Sequence, residues 1–513
     1  MKVVTVERMR AIERQAGDDF GLTSEILMAN AGRGIAEIVR GAVGGDLSGM
    51  AVLVLVGPGN NGGDGRVAAQ HLAEAGAQLG LFVWKDRQLL VAGKEIPVED
   101  DLETLRPVLE QTDVVLDALL GTGHARPLDP LMRQVLALVD AERARRPALV
   151  VAAVDLPSGL DADTGAADPG TLRADLTITL AFPKVGMFIF PGAGTVGELV
   201  VGPIGLPEGM AGDVSLEMLD GGLARTLLPA RPLESNKGTY GKVMVLAGSP
   251  PYPGSAYLAA TAAGRAGAGL VTLAVTTEMA AIYAVKLSET TFRLLPPASA
   301  PAAERARVLL DGLDGYSSLL VGPGLGQDDA TRDVLLAALD GVRTLPDDQR
   351  PRLIVDADGL NMLARVESWW ERLPPRTVIT PHPGEMTRLR GGERVSGGGA
   401  DRFDVVRDVA ARWGTVTILK GACTLIADPA GAMRVYWPPN PALATAGTGD
   451  VLAGIVVGLL AQGADPFDAA SLAVYLHGRA GLAVSEQLGD AGLLASDLLP
   501  EIPVAMRETR AGT

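Results

Sequence analysis

The sequence predicts two α/β units in series, the first a doubly wound parallel sheet covered by helices. Three observations predict it. At 513 residues the chain is too long for one hydrophobic core. Its strand-like runs are short and apolar, with little period-two alternation, as in strands buried on both faces. Between these runs lie amphipathic helical stretches in regular succession.

In the first half the strand runs are "AVLVLVG" (51–57), "DVVLDALLG" (113–121), "LVVAAVD" (149–155) and "DLTITLAF" (175–182). Helical patterns such as "GRVAAQHLAEAG" (65–76) and "PLMRQVLALVDAERAR" (130–145) separate them. Residues 205–222 hold five glycines and no clear strand, which places a boundary there and domains at 1–212 and 222–513. A second α/β series follows: 242–248, 269–275, 318–324, 352–358, 415–421 and 423–428. Helices 450–463 and 466–489 then lead a helical C-terminal part. Surface loops are expected at 296–304, 343–351 and 391–399.

A net charge of −16 disfavours nucleic acid or an anionic membrane as partner, while leaving room for a small phosphate-bearing ligand held by backbone N–H groups. Cys423 is the only cysteine, so neither a disulfide within the chain nor a cysteine metal cluster can form. The charged start and the lack of a long apolar run predict a cytoplasmic protein with no membrane span.

The glycine-rich stretch "GPGNNGGDG" (57–65) joins a strand to a helix, so the backbone can approach a ligand at a positive helix end. A turn alone is the bland alternative, which the two asparagines and the aspartate count against. "DALLGTGHARP" (117–127) and "VDLPSGLDADTG" (154–165) should converge on the same sheet edge. Asp117, Asp155 and Ser158 can each be a cap, or together part of an oxygen-rich cation pocket.

This set closely resembles the N-terminal, Rossmann-like domain of the bifunctional NAD(P)H-hydrate repair enzymes. The resemblance implies an epimerase acting on hydrated NADH or NADPH with a bound potassium ion (K+). Asn60, Asn61, Gly62, Gly63 and Asp64, with Gly121, Thr122, Gly123, His124, Ala125, Arg126 and Pro127, would hold the dinucleotide. Asn61, Asp117 and Ser158 would contact potassium, and Asp155 would lie by the substrate and handle a proton. One departure is Ala29, where relatives often carry a charged residue.

In the second half, "PGSAYLAATAAGRAGAGLVT" (253–272) has small residues suited to close helix packing, or to a ligand lying against Gly254, Ser255 and Ala256. His382 in "TPHPGEM" is held between prolines, and Glu385 can orient a magnesium-bound water or cap a helix. "ILKGACT" (418–424) offers Lys420 to a nucleotide, with Cys423 read as a packing residue. In "TAGTGDVLAG" (445–454), Gly447, Thr448 and Gly449 would form an anion hole at the start of a helix over 450–462. Asp450 there is either a cap or a general base.

From about 235 to 500 the chain resembles the ribokinase-like superfamily, specifically its ADP- or ATP-dependent NAD(P)H-hydrate dehydratases, through "NKGTYG", "VGPGLG", "DADGLN", "TPHPGE", "KGACT" and "GTGD". The likeness implies that Lys420, Gly421, Ala422, Cys423, Thr424 and Gly449 bind the adenine nucleotide with Mg2+. Ser255, Ala256, Gly324, Gly326, His382 and Asp450 would face the hydrated nicotinamide, Asp450 as catalytic base. ADP is the expected donor, with ATP open. Metabolite repair of this kind epimerises the hydrates, dehydrates the S epimer and releases phosphate with AMP or ADP. A homo-oligomer is expected. The alternative is a ribokinase-like vitamin-precursor kinase fused to a nucleotide-binding regulatory domain.

Overall fold

A computed structural model describes residues 1–99, 102–123 and 127–512. Two compact units are formed, one of Lys2–Val214 with Gly398–Ala400, the other of Ser215–Gly397 and Asp401–Thr513 with Met1.

The first unit holds an eight-stranded sheet in the order Lys94–Pro97, Gln88–Val91, Gln78–Val83, Ala51–Val56, Val114–Ala118, Val150–Val154, Leu176–Leu180, Glu198–Gly202. The six strands from Gln78–Val83 onward are parallel, and the two at the other edge are antiparallel. The central strand shows why alternation is missing from the sequence. Leu53 and Leu55 belong to the core on one face, Val52, Val54 and Val56 to the core on the other, and none exceeds 1% exposure. Both faces are dry, so every position is apolar.

Strand order reverses between Ala51–Val56 and Val114–Ala118, the place where an open α/β sheet has its crevice. Gly57 stands there. A Cβ on it would fall 1.6 Å from the Leu119 carbonyl oxygen, so no other residue fits. The chain then enters the helix Asn60–Glu74, five residues earlier than the 65–76 pattern predicts, because Asn60, Asn61 and three glycines form its first turns.

The second unit has ten strands, ordered Thr291–Leu295, Leu270–Thr276, Lys242–Leu246, Ser318–Val321, Arg352–Val355, Val378–Ile379, Val416–Leu419, Leu425–Ala427, Met433–Tyr436, Leu216–Leu219. The last of these lies in the stretch read as strandless. "LEML" is only four residues long, and becomes a strand by pairing in parallel with Met433–Tyr436, a partner remote in sequence. A helix, Ala302–Leu310, also begins inside the loop expected at 296–304.

The order reverses again at Lys242–Leu246, between Leu270–Thr276 and Ser318–Val321. Gly322 repeats the role of Gly57: its φ is +127°, and a Cβ would lie 1.9 Å from the Asp356 carbonyl oxygen. The apolar helix is Thr448–Ala461, starting two residues before 450. It is buried nearly all round because it packs on the helix Pro253–Arg265 through small residues. Side chains at Gly454 and Gly458 would strike the carbonyl oxygens of Ala259 and Ala263 at 2.4 and 2.6 Å. This close approach sets Asp450 beside Ser255.

Gly57→Ala and Gly322→Ala should each destabilise by more than about 2 kcal/mol, because backbone rather than a flexible side chain must move. Denaturant unfolding of each variant checks this.

Candidate active sites

In the first unit a cavity of about 600 Å³ opens at the switch point. Gly59, Asn60, Asn61, Asp64, Gly121, Thr122, Gly123 and Asp155 line it, with Glu13 and Lys184. The N–H groups of Asn60, Asn61 and Gly62 meet no acceptor among the described residues, so a positive helix end faces the cavity. Gly62 and Gly63 are packed rather than exposed: a Cβ on Gly62 would strike the Gly57 oxygen at 2.1 Å, and one on Gly63 the Met28 Cε at 2.6 Å. Pro127 is exposed, outside the lining. His124, Ala125 and Arg126 lie outside the described residues.

Asp117 and Ser158 form one buried corner. The Ser158 hydroxyl donates to Asp117 Oδ1 at 2.7 Å and its N–H donates to Oδ2 at 2.9 Å, while Leu120 N–H donates to Ser158 Oγ at 2.9 Å. Burial raises the Asp117 pKa against the pull of these bonds. Asn61 is 7% exposed, and its Nδ2 has no partner among the described residues. Its amide abuts Gly121, where a Cβ would come within 3.1 Å of Cγ.

Asp155 adopts a left-handed backbone, φ +66°, and contacts the Lys184 ammonium through Oδ1, which also accepts the Leu180 N–H at 3.1 Å. Lys184 is 1% exposed. Asp64 is buried too, and burial, aided by Asp155 and Glu13 and opposed by Lys184, pushes its pKa up to about 8. Glu13 is exposed at the cavity, yet desolvation by the protein around its carboxyl raises the pKa, with Asp155 adding and Lys184 and Arg10 opposing. Lys184 and Glu13 escaped the sequence reading. Neither sits in a glycine motif, and only the long-range fold brings them to Asp155.

In the second unit Asp450 is the third residue of its helix, and Gly447, at φ +92°, precedes the first. The N–H groups of Gly449 and Asp450 meet no acceptor among the described residues. Burial raises Asp450 to a pKa of about 6, Asp356 adding, with Ser255 and Lys420 opposing. Lys420 donates to Asp356 Oδ1 at 3.1 Å and lies 3.7 Å from Glu385 Oε2. A Cβ on Gly449 would meet its ammonium at 3.4 Å. Burial disfavours that charge, but Asp356, Glu385 and Asp450 outweigh it and raise the pKa.

Gly324, at φ +61°, packs on Ser255, where a Cβ would stand 2.7 Å from the serine Cβ; Ala256 is fully buried beside them. Gly326 N–H donates to Asp358 at 2.9 Å. Glu385 is used as a cap: its Oε2 accepts the His382 N–H at 2.8 Å, and His382 Nδ1 accepts from Gly384 at 3.0 Å. Nδ1 must therefore be unprotonated, and burial lowers the His382 pKa. Gly421 and Ala422 are exposed, and Thr424 closes the turn with a 3.0 Å bond to the Gly421 oxygen. Cys423 is fully buried with its thiol pushed up to about 12, so only its backbone can reach a ligand.

His477 was also missed. Its Nε2 donates to the Thr448 carbonyl at 3.0 Å, and Thr448 Oγ1 donates to the Leu443 and Thr445 oxygens at 2.9 Å each. These three bonds brace the glycine turn.

Two buried carboxylate–ammonium sites, each at a helix end with free N–H groups, define a two-site α/β enzyme for anionic, phosphate-bearing ligands. Residues 243–504 match the family model for NAD(P)H-hydrate dehydratase, and 24–186 that for the YjeF-related protein N-terminus. The bifunctional NAD(P)H-hydrate repair enzyme of Moorella thermoacetica is 37% identical, covering 99% of this chain and 97% of its own. That of Escherichia coli is 33% identical, covering 96% and 91%. Among solved structures, the ADP/ATP-dependent NAD(P)H-hydrate dehydratase of Bacillus subtilis, co-crystallised with ATP/Mg2+, is 30% identical over 57% of this chain and 98% of its own, with a TM-score of 0.48. The chain belongs to the family of bifunctional NAD(P)H-hydrate repair enzymes.

His477→Phe keeps a ring but releases the Thr448 carbonyl, so dehydratase kcat/KM should fall about 10- to 100-fold, as steady-state kinetics would read. Burial lowers the His477 pKa from 6.5 to about 4, so its share of stability is complete above pH 6.5 and shrinks as pH falls towards 4. The variant should lose that part of the acid sensitivity in thermal unfolding.

Proposed function

We propose that the first unit interconverts the two epimers of hydrated NADH and NADPH, and that the second dehydrates the S epimer with ADP or ATP as phosphoryl donor. The observation that carries the second activity is Asp450. It is a half-buried carboxylate on the first turn of a helix whose N–H groups at Gly449 and at Asp450 itself, without an acceptor among the described residues, sit beside the Lys420 ammonium.

Asp450 takes the proton of the hydroxyl on the hydrated ring. That oxygen attacks the terminal phosphoryl group, whose charge the N–H groups and Lys420 stabilise in flight. The ring nitrogen lone pair then expels the phosphorylated oxygen, and the adjacent ring carbon gives up its proton to the departing phosphate to restore the ring double bond, giving NAD(P)H, inorganic phosphate and AMP or ADP. His382, with Nδ1 tied to backbone N–H groups, presents Nε2 as a donor, and Gly324 and Ser255 form the wall against which the ring lies.

Among the described residues no group of three or more His, Cys, Asp or Glu is arranged to hold a metal ion. Mg2+ would come with the nucleotide phosphates and supply charge neutralisation. In the first unit, Asn61, Asp117 and Ser158 would hold potassium. All three are buried, and the Asn61 amide, whose Nδ2 lacks a partner among the described residues, can turn an oxygen to the Asp117–Ser158 corner. The ion would add positive charge to the pocket.

Mixed NADH hydrate supplied with ADP or ATP should regain NADH absorbance, and no recovery with either nucleotide overturns the reading. Asp450→Asn should lose dehydration by at least about 10²-fold. As a base Asp450 must be ionised, so wild-type kcat/KM should fall as pH drops through about 6.

A further inference from the structure

We propose that Asp64 and Asp155 are the acid and the base of the epimerisation, and that Lys184 is the positioning residue that divides these roles between them. The inference rests on the epimerase reading of the first unit and assigns its proton transfers.

Four carboxyl groups, Glu13, Asp18, Asp64 and Asp155, line one cavity that also holds one buried ammonium, that of Lys184. Only Asp155 touches it. Lys184 also donates to Thr179 Oγ1 at 3.1 Å and to the Leu180 oxygen at 3.2 Å, so all three of its protons are used. An ammonium this enclosed is tolerable only beside an anion, and removing that anion would leave an uncompensated buried charge. Asp155 is therefore the carboxylate that balances the ammonium. The loop after Val150–Val154 supplies Asp155, and the segment after Leu176–Leu180 supplies Lys184. Asp155 holds its left-handed conformation at the point where the two meet.

Asp64 stands on a different element, the helix Asn60–Glu74, and no donor among the described residues reaches its carboxyl. Glu13, from the helix Val6–Phe20, and Asp155 face it with like charge, and Lys184 is already engaged. Arg10, Arg14 and Asp18 complete the charged lining. A buried carboxyl with two carboxylate neighbours and no donor keeps its proton at neutral pH, which matches its upward displacement to about 8.

The hydrated ring carries its hydroxyl on the carbon bonded to the ring nitrogen. Asp64 gives its proton to that hydroxyl. The carbon–oxygen bond breaks, water departs, and the nitrogen lone pair forms a carbon–nitrogen double bond, leaving a planar cation. Water then adds to the opposite face, a new carbon–oxygen bond forms, and the nitrogen recovers its lone pair. Asp155 accepts the proton that the added water loses. Substrate and product have the same composition, and the proton returns from Asp155 to Asp64 by exchange with water in the open cavity.

The test follows interconversion of the separated hydrate epimers by proton NMR, with no adenine nucleotide present, from pH 5 to 9. Wild-type rate should fall above pH about 8 as Asp64 ionises. Asp64→Asn should lose about 10²-fold or more in kcat. Lys184→Met should move the alkaline limb further up, because Lys184 is the charge that opposes the rise of the Asp64 pKa. Lys184→Arg should restore the limb in part, and thermal unfolding identifies any variant that is merely unfolded. Asp64→Asn within about threefold of wild type, or an unmoved alkaline limb in a folded Lys184→Met, would overturn the assignment. A wild-type chain that interconverts nothing would overturn the epimerase reading itself, a distinct result.

Discussion

Both crevices depend on backbone passing backbone at a distance that no side chain allows. At Gly57 the neighbour is the Leu119 carbonyl, at Gly322 the Asp356 carbonyl. In each unit the glycine follows a strand bordering the reversal of strand order. The tight passage brings a loop at one strand end hard against the loop at the next, so motifs far apart in sequence share one rim. "GPG" occurs at both positions because one packing problem has been solved twice.

The two rims also share an electrostatic arrangement. A single ammonium, Lys184 or Lys420, pairs with a carboxylate, Asp155 or Asp356, and Lys420 reaches Glu385 as well. A second carboxyl, Asp64 or Asp450, is left with burial dominating and its pKa raised, to about 8 in the first unit and about 6 in the second. The difference has a local cause. Asp450 has the Ser255 hydroxyl and Lys420 to favour its charge, whereas Asp64 has two carboxylate neighbours and only the distant pull of Lys184. In the roles proposed for them, one device would yield a proton donor in one unit and an acceptor in the other.

Much of this was legible along the chain. Central strands announce themselves because both faces are dry, as at Val52–Val56, and the glycine motifs because they sit where those strands end. What escaped was set by partners distant in sequence. Leu216–Leu219 is a strand only through Met433–Tyr436. The start of the helix at Asn60 was hidden because asparagine and glycine are poor helix formers, tolerated there at its first turns. Glu385 offered two roles to the sequence, and the capping box takes it up.

Taken alone, the sequence determined the alternation of buried strands and helices, the motifs at the strand ends and the residue types available for chemistry. Each of these is written within a few neighbouring residues. Only the tertiary structure decided which carboxyl stands beside an ammonium and which is left without one. Asp64, Asp117, Asp155 and Asp450 look alike in a sequence, but their surroundings are set by burial and by the nearest opposite charge. Lys184 reaches Asp155 across 29 residues, and Lys420 reaches Asp356 across 64. Those separations close only when the sheets form.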